Sequence, residues 1–241
     1  MTSKLEQVRA RPRRTATPAN RTGRRRAAGG AAEAATPYHH GALRDALLLA
    51  AERVLERDGL AGLTLRAVAR DAGVSHAAPT HHFKDLTGLV SELAAIGFTR
   101  FNVTMKAASE QPGTPVERAM ARARAYVAYA QANPGMYGLM FRTERLDYSR
   151  PSLHAAAEAS FAGLAGSVAP GSGEQPAGEP QLSLEQAATI ARAWSLVHGY
   201  TMLLLDGRLA DILRRSPPGT TAESLLEAML RATVPRLPPG T

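Results

Sequence analysis

Three histidines lie close together in the stretch GVSHAAPTHHF, residues 73–83, and histidine is both a common metal ligand and an acid–base group. Two metal ligands on one helix must be three or four residues apart, and no pair among His76, His81 and His82 has that spacing. The chain contains no cysteine, and no acidic cluster accompanies the histidines. The pattern therefore disfavours a metal site, and we expect neither a metal nor another cofactor.

Catalytic chemistry has equally little support in the sequence. The chain has no Gly-rich phosphate loop, no serine elbow and no HExxH motif. Carboxylates such as Glu117, Glu144 and Asp147 are scattered, and His154 and His198 fall on separate predicted helices without a visible nucleophile. We therefore expect a protein that binds a partner and is not an enzyme.

Positive charge is concentrated at the N-terminus. Residues 1–40 contain nine Lys or Arg and two Glu, a balance of +7, whereas the other 201 residues contain 20 basic and 19 acidic side chains. Because residues 1–36 offer almost nothing to bury, we predict a disordered basic arm there. Such an arm contacts a polyanion such as DNA, or is a solubilising tail, or reflects an over-long start; the sequence leaves these alternatives open.

The cellular location is also predicted from composition. The absence of cysteine fits a reducing compartment, and no apolar run approaches the roughly 18 residues needed to span a bilayer. No apolar segment follows the arginines of the arm, so neither a secretory nor a twin-arginine signal is expected. These features predict a cytoplasmic protein.

Apolar residues recur at spacings of three and four from Leu43 onward, and no strand pattern competes with them. We therefore predict an all-α fold, with Gly59 as a left-handed cap at the end of the first helix. Sequences of the capping-box type mark the starts of three later helices. They are Thr114 to Glu117, Ser183 to Gln186 and Thr220 to Glu223.

The histidine stretch lies within a predicted pair of short helices. Thr64 and Ser75 are plausible N-caps, and Gly73 between them permits a sharp bend. This order is typical of a helix-turn-helix, whose second helix enters the DNA major groove. With Ser75 as cap, Pro79 falls in the fourth helical position and faces the core together with Phe83, which leaves a polar outer face available to DNA.

The segment LTLRAVARDAGVSHAAPTHHF resembles, in order and spacing, the DNA-binding domain of the TetR/AcrR family of bacterial transcriptional regulators. The upstream YHHGALRDALLLAAERVLERDGLAGLTL fits the first helix of that domain. The resemblance implies a three-helix DNA-binding domain over residues 37–98, with the helix-turn-helix at about 64–83. It also implies a helical ligand-binding and dimerisation domain over residues 99–241.

By position, the resemblance assigns nine residues to the DNA-facing surface. Four of them would face base edges, namely Arg66, His76, Ala77 and Thr80. The other candidates, most of them on the phosphate side, are Thr64, Ser75, His81, His82 and Lys84. Thr80 and Leu86 depart from the family pattern, which usually has tyrosine and lysine there. Residues 41–90 carry six basic and six acidic side chains, so we expect the basic arm to supply additional phosphate or minor-groove contacts.

A second, less specific resemblance lies in ARAWSLVHGYTMLLL, where Trp194, His198 and Gly199 resemble the Trp-His-Gly signature of the WHG-type C-terminal domain of this family. Trp194 and His198 share a helix face, so His198 is either a hydrogen-bonded core residue or a polar anchor in an apolar ligand pocket. The full set of pocket candidates is Tyr126, Tyr129, Met136, Tyr137, Met140, Phe141, Phe161, Trp194 and His198.

The resemblance implies a homodimer, in which the last two long helices of each chain form a four-helix interface. It further implies a ligand-responsive repressor that binds a palindromic operator and responds to a small apolar effector. The alternative is a nonspecific or architectural nucleic-acid binder driven by the basic arm.

Overall fold

The computed structural model describes residues 40–168 and 182–233, and within these ranges the chain forms α-helices and one 3₁₀ turn but no strand. The all-α prediction is therefore confirmed, whereas the predicted basic arm at residues 1–36 lies outside the described residues. The helices are α1 His40–Gly62, α2 Leu65–Asp71, α3 Ala78–Phe83, α4 Leu86–Ser109, α5 Pro115–Ala132, α6 Pro134–Met140, α7 Pro151–Val168, α8 Leu184–Leu205, α9 Ala210–Arg215 and α10 Ala222–Thr233. The 3₁₀ turn spans Thr143–Arg145.

The first three helices form the helix-turn-helix unit around a common apolar core. Leu47 and Val54 of α1, Val68 of α2 and Phe83 of α3 are each at most 1% exposed. Helix α1 is broken at Gly59, where φ is 67° and ψ is −175°. The φ of Gly59 is positive as expected, but its ψ lies outside the left-handed α region and the helical segment resumes after it and ends at Gly62, so the predicted left-handed cap does not end the helix there.

Helix α4 connects the helix-turn-helix unit to the helices that follow. Its buried residues Leu89 and Leu93 belong to the same core cluster as the first three helices, and so do Phe101 and Met105 farther along. The helix runs without a break through residue 98, where the sequence predicts a domain boundary. The two halves of the molecule therefore share one helix and one continuous core.

The starts of the later helices test the predicted capping boxes. Those of α5 and α8 are confirmed. The side chains of Thr114 and Ser183 accept the backbone N–H of the residue three positions later, and the side chains of Glu117 and Gln186 accept the backbone N–H of Thr114 and Ser183. The third box forms one residue later than predicted. The backbone N–H of Ser224 donates to Thr221 Oγ1 (3.1 Å) and the Thr221 N–H donates to Ser224 Oγ (2.9 Å), because a serine hydroxyl accepts as Glu223 would have done.

The last helices enclose a smaller apolar cluster. Val127 of α5 packs there with Tyr200 of α8, Leu226 of α10 and Leu209, the residue just before α9, and all four are buried. Helix α9, which the sequence does not predict, has six residues and is too short for a helical repeat to be recognised.

Candidate functional site

The turn between α2 and α3 is closed by a Schellman motif at Gly73. The N–H of Gly73 donates to the Arg70 carbonyl (3.2 Å), and the N–H of Val74 donates to the Ala69 carbonyl (3.0 Å). Gly73 has a φ of 67°, which a residue with a side chain rarely adopts. At the other end of α2, the Thr64 hydroxyl accepts the N–H of Ala67 (3.1 Å). The bend predicted at Gly73 is therefore built by backbone geometry.

Helix α3 begins later than the sequence predicts. Its N-cap is Ala77, without a side-chain hydrogen bond, and Ser75 lies in a turn in which its carbonyl accepts the N–H of Ala78 (3.0 Å). The predicted cap at Ser75 is therefore wrong. Pro79 occupies the second helical position, where a backbone N–H has no helical acceptor in any case. It is buried, as is Phe83.

The residues predicted to face DNA form the outer side of this unit. Eight of the nine candidates are exposed, and His82 is half-buried. The exposed ones are Thr64, Arg66, Ser75, His76, Ala77, Thr80, His81 and Lys84. The rings of His81 and His82 meet edge to face at 5.4 Å. The surface thus offers hydroxyl, imidazole, guanidinium and ammonium groups, which are suited to base edges and phosphates.

The charge balance of this half hides an unequal distribution. Asp71 is held by Arg53 (2.8 Å) and Arg57 (3.0 Å), and these hydrogen bonds keep the pKa of its carboxyl below the usual value. By contrast, the exposed side chains of Arg66 and Lys84 make no ion pair with any described residue. Arg66 and Lys84 therefore remain as exposed cations on the helix-turn-helix surface.

A charged cluster joins four segments behind α3. We define it as Arg44 of α1, Glu92 of α4, Arg150 just before α7, and the carbonyl group of Phe83. Glu92 accepts from Arg44 (2.5 Å) and Arg150 (3.2 Å), and the Phe83 carbonyl accepts from Arg150 (3.2 Å). The guanidinium of Arg44 also lies 5.5 Å from the centre of the Phe83 ring. The sequence reasoning missed this cluster, because its members are far apart in the chain.

A second, uncharged cluster lies among α5, α6 and α8. We call it the tyrosine–histidine cluster, and it comprises Tyr126, Tyr137 and His198. The His198 Nδ1 atom is 2.8 Å from the Tyr137 hydroxyl and 3.0 Å from the Tyr126 hydroxyl, and the two hydroxyls are 3.1 Å apart. The sequence predicts all three as pocket candidates, and the structure brings them into direct contact.

Burial keeps this cluster uncharged at neutral pH. It raises the pKa of Tyr126 to about 12 and also raises that of Tyr137. It lowers the pKa of His198 below the usual histidine value, because a buried imidazolium loses hydration. Both tyrosines therefore retain their protons, and the imidazole is neutral.

Aromatic rings surround the tyrosine–histidine cluster. The Phe141 ring lies 4.7 Å from the His198 ring, and the Trp194 ring lies 6.3 Å from it. Phe101, which the sequence reasoning missed, packs against Tyr126 at 5.1 Å. In the sequence, Phe101 looks like any other apolar residue on the inner face of α4. Its contact with Tyr126 depends on where α4 crosses α5, which the sequence does not show.

The other pocket candidates lie farther from the cluster. Tyr129 donates its hydroxyl proton to the Gly97 carbonyl (2.9 Å), and the buried side chains of Met136 and Met140 pack against the same glycine. Phe161 is 42% exposed on α7 and makes no ring contact with another described aromatic residue. The structure thus unites five of the nine candidates, leaving these four outside.

Two family models match this chain in sequence. Residues 47–93 match "Bacterial regulatory proteins, tetR family", and residues 119–232 match "Tetracyclin repressor-like, C-terminal domain". Together the two models match more than half of the chain. The chain belongs to the TetR family. This TetR-family protein is therefore a helix-turn-helix DNA-binding transcriptional regulator.

Solved structures agree with the TetR fold. A protein of unknown function from Rhodococcus sp. RHA1 is 33% identical, with a TM-score of 0.63, and the match covers 81% of this chain and 95% of that one. The transcriptional regulator FadR from Bacillus subtilis, solved with stearoyl-CoA, is 14% identical (TM-score 0.55, 78% and 95% covered). The fatty acid degradation regulator FadR from Bacillus halodurans is 12% identical (TM-score 0.54, 78% and 92% covered). No curated protein matches in sequence.

Two further features concern the described residues alone. Within residues 40–168 and 182–233, no three His, Asp or Glu side chains are grouped so as to hold a metal ion. None of the helices described is both long and apolar enough to cross a membrane.

Proposed function

We propose that this TetR-family regulator is a ligand-responsive repressor that binds a palindromic operator as a homodimer. The observation that carries the proposal is the division of α3 into two faces. Pro79 and Phe83 are buried, while His76, Thr80 and His81 on and just before the helix are exposed. A short helix anchored from within and polar outside is suited to the major groove.

The proposal assigns separate roles to the exposed candidates. Arg66, His76, Ala77 and Thr80 would contact base edges, and Thr64, Ser75, His81, His82 and Lys84 would contact the phosphate side or the groove wall. A base-edge contact contributes about 1–3 kcal/mol of discrimination, whereas a phosphate contact strengthens binding to all sequences. Alanine at Arg66 should therefore relax the sequence preference, and alanine at Lys84 should reduce the salt dependence of binding.

Exposed apolar side chains near the C-terminus support a homodimer. On α8, Leu184 is 85% exposed and Leu203 is 43% exposed, and Ile212 of α9 is 51% exposed. A Cβ added to Gly199 would meet no atom within 4 Å, so α8 has room for a close helix neighbour. A two-fold pair of such helices buries these groups and places two copies of α3 on one face, about one DNA turn or a multiple apart.

The tyrosine–histidine cluster is the proposed effector anchor. We assign the Tyr137 hydroxyl, 2.8 Å from His198 Nδ1, as the donor to the single lone pair of that nitrogen, with the Tyr126 hydroxyl donating to the Tyr137 oxygen 3.1 Å away. In this arrangement the imidazole proton resides on Nε2. An effector that uses this anchor would be small, uncharged and largely apolar, with one acceptor for the Nε2–H. Rings such as Phe141 and Trp194 would contact its apolar part.

Selection from random-sequence duplexes tests the DNA-binding part of the proposal. The full-length protein should enrich a palindrome, and Arg66→Ala and His76→Ala should each weaken binding to that palindrome about tenfold or more. Sedimentation of the free protein at micromolar concentration should give a dimer. Enrichment of no shared sequence would favour the nonspecific binder instead, and a monomer would contradict the two-fold arrangement.

The basic arm has its own test. Deleting residues 1–36 should lower affinity for the selected palindrome and flatten the dependence of binding on salt, because arginine contacts release counterions from DNA. An unchanged salt slope would assign the arm no part in DNA binding.

The effector part is tested with a panel of small neutral ketones, amides and esters. At least one should release the protein from the selected palindrome, and His198→Phe should abolish that response while retaining DNA binding. A response that persists in His198→Phe would remove His198 as the anchor.

A further inference from the structure

The C-terminal end of α3 is held by a side chain from the other half of the molecule. Arg150, just before α7, donates from Nη2 to the Phe83 carbonyl (3.2 Å) and from Nη1 to Glu92 (3.2 Å). Carbonyl groups in the last turn of a helix have no helical donor. One planar guanidinium therefore connects the end of α3 to α4 and α7.

Gly88 makes this approach possible. A Cβ at that position would overlap both the Phe83 carbonyl oxygen and the Arg150 guanidinium. Gly88 is inside α4 and is buried, so it is not required there for a turn or a cap. Its missing side chain instead provides the space through which Arg150 reaches α3.

The segment that carries Arg150 is itself fixed to α4. The backbone N–H of Asp147 donates to Ser91 Oγ (2.9 Å), and Ser91 is fully buried. Arg150 Nε is buried and makes no hydrogen bond to any described residue, with the Asp147 carboxylate 3.9 Å away. The guanidinium is thus oriented by Glu92 and Phe83, with only a weak contribution from its own segment.

The backbone that follows α3 is strained and needs support on both sides. Lys84 has φ 74° and ψ −56°, close to the rare γ-turn geometry. Such a conformation persists only where neighbouring contacts enforce it. Arg150 holds the carbonyl before Lys84, and after it the Asp85 side chain caps α4 by accepting the Gly88 N–H (2.8 Å). Loss of the first contact would release the end of α3 from this turn.

We infer that Arg150 is a positioning residue for DNA reading. It fixes the direction of α3 relative to α4 and α7, so that the C-terminal half of each protomer controls how its own reading helix enters the groove. This inference rests on the proposed role of α3 as the reading helix, but the hold of Arg150 on α3 can be measured without DNA.

The test uses full-length Arg150→Gln with Arg145→Gln as its matched control. Arg145 lies in the same segment, is exposed and makes no ion pair with a described residue. In Arg150→Gln, the amides of His81 and Lys84, which close α3, should exchange hydrogen about tenfold faster. The amide of Val68 in α2 should exchange as before. Affinity for the selected palindrome should fall about tenfold, with the protein still dimeric.

Two further variants separate positioning from folding. Arg150→Lys should lie between wild type and Arg150→Gln, because an ammonium cannot bridge Glu92 and the Phe83 carbonyl with fork geometry. If Arg150→Gln does not fold, Ser91→Ala provides the same readout by loosening the segment at Asp147.

Equal acceleration of exchange in α2 and α3 would overturn the inference, because it would show only general destabilisation. Exchange in α3 that matches Arg145→Gln would overturn it as well, and so would unchanged affinity. Whether α3 reads DNA at all is decided separately by Arg66→Ala and His76→Ala on the same duplex.

Discussion

The charged cluster and the tyrosine–histidine cluster contain similar numbers of hydrogen bonds but differ in the charge of the groups that form them. In the first, Glu92 is shared by Arg44 and Arg150, whereas the second contains two hydroxyls and one neutral imidazole around a single nitrogen. Separating charged partners that are partly buried has a large free-energy cost, because each charge is then left without its partner. Neutral hydroxyl and imidazole groups exchange partners at a cost of about 1 kcal/mol each.

This difference assigns rigidity to one cluster and adaptability to the other. The proposed role of the charged cluster in setting the direction of α3 favours bonds that do not rearrange, and the proposed role of the tyrosine–histidine cluster in binding an effector favours bonds that do. The segment between α6 and α7 connects them, because α6 carries Tyr137 and the segment ends at Arg150.

The largest expected effect is that of Gly88→Ala, next to the charged cluster. The new Cβ would overlap the Phe83 carbonyl oxygen, which is backbone and cannot rotate away. We expect the free energy of unfolding to fall by about 3 kcal/mol, the upper part of the range for overpacked sites. Urea unfolding monitored by circular dichroism measures it.

A glycine beside the other cluster provides the control. Gly138 follows Tyr137 in α6, and a Cβ there would meet no atom within 4 Å. Gly138→Ala should leave stability unchanged or raise it by up to about 1 kcal/mol, because alanine is the better helix former. Equal losses in both variants would contradict the difference in packing between the clusters.

The second prediction compares one polar deletion in each cluster. Glu92→Gln leaves Arg44 and Arg150 without their shared carboxylate, and we expect a loss of about 2 kcal/mol in the free energy of unfolding, because both cations are partly buried. Tyr137→Phe removes one hydroxyl between neutral partners and should lose about 1 kcal/mol.

The same urea titrations measure both variants, with Glu158→Gln as the exposed control. A loss in Tyr137→Phe that exceeds the loss in Glu92→Gln would reverse the assignment of rigid and adaptable clusters.

The two clusters also differ in how far the sequence predicts them. Tyr126, Tyr137 and His198 could be nominated because aromatic residues and a histidine are conspicuous in helices otherwise rich in alanine and leucine. Arg44, Glu92 and Arg150 are ordinary charged residues in a sequence in which such residues are usually solvated. Only the crossing of α1, α4 and α7 brings them together.

Local chemistry explains which elements of the fold could be predicted. The bend at Gly73 and the caps at Thr114 and Ser183 depend on neighbouring residues and are confirmed. The predicted cap at Ser75 is wrong, because residues 75–78 form a turn before Pro79 and the helix begins only at Ala78. The third capping box was misplaced by one residue, because Thr220 and Thr221 are chemically equivalent.

The third prediction concerns pH and the tyrosine–histidine cluster. Burial lowers the pKa of folded His198, so below about pH 6.5 the unfolded chain binds a proton that the folded chain does not. The free energy of unfolding should therefore decrease as pH falls through this range, by at most about 1.4 kcal/mol per pH unit. Above this range His198 is neutral in both the folded and the unfolded chain, and its burial no longer makes the free energy of unfolding depend on pH.

His198→Gln should remove that part of the pH dependence in urea titrations between pH 5 and 8. His154→Gln, a change at an exposed histidine of α7, should retain it. Identical slopes in wild type and His198→Gln would show that the imidazole is not buried as a neutral group.

The smallest expected effect tests the outer face of α3 that the charged cluster holds in place. Thr80 is exposed at the position where the family resemblance leads us to expect tyrosine. Thr80→Tyr should tighten binding to the selected palindrome a few-fold, since a longer hydroxyl reaches a phosphate or base edge, at about 1 kcal/mol for a hydrogen bond. Thr80→Phe, with equal bulk and no hydroxyl, should not.

In an Arg150→Gln background the gain should disappear, because the new hydroxyl is useful only if α3 keeps its direction. Weaker binding by Thr80→Tyr would mean that this helix enters the groove at a different angle from that of its relatives.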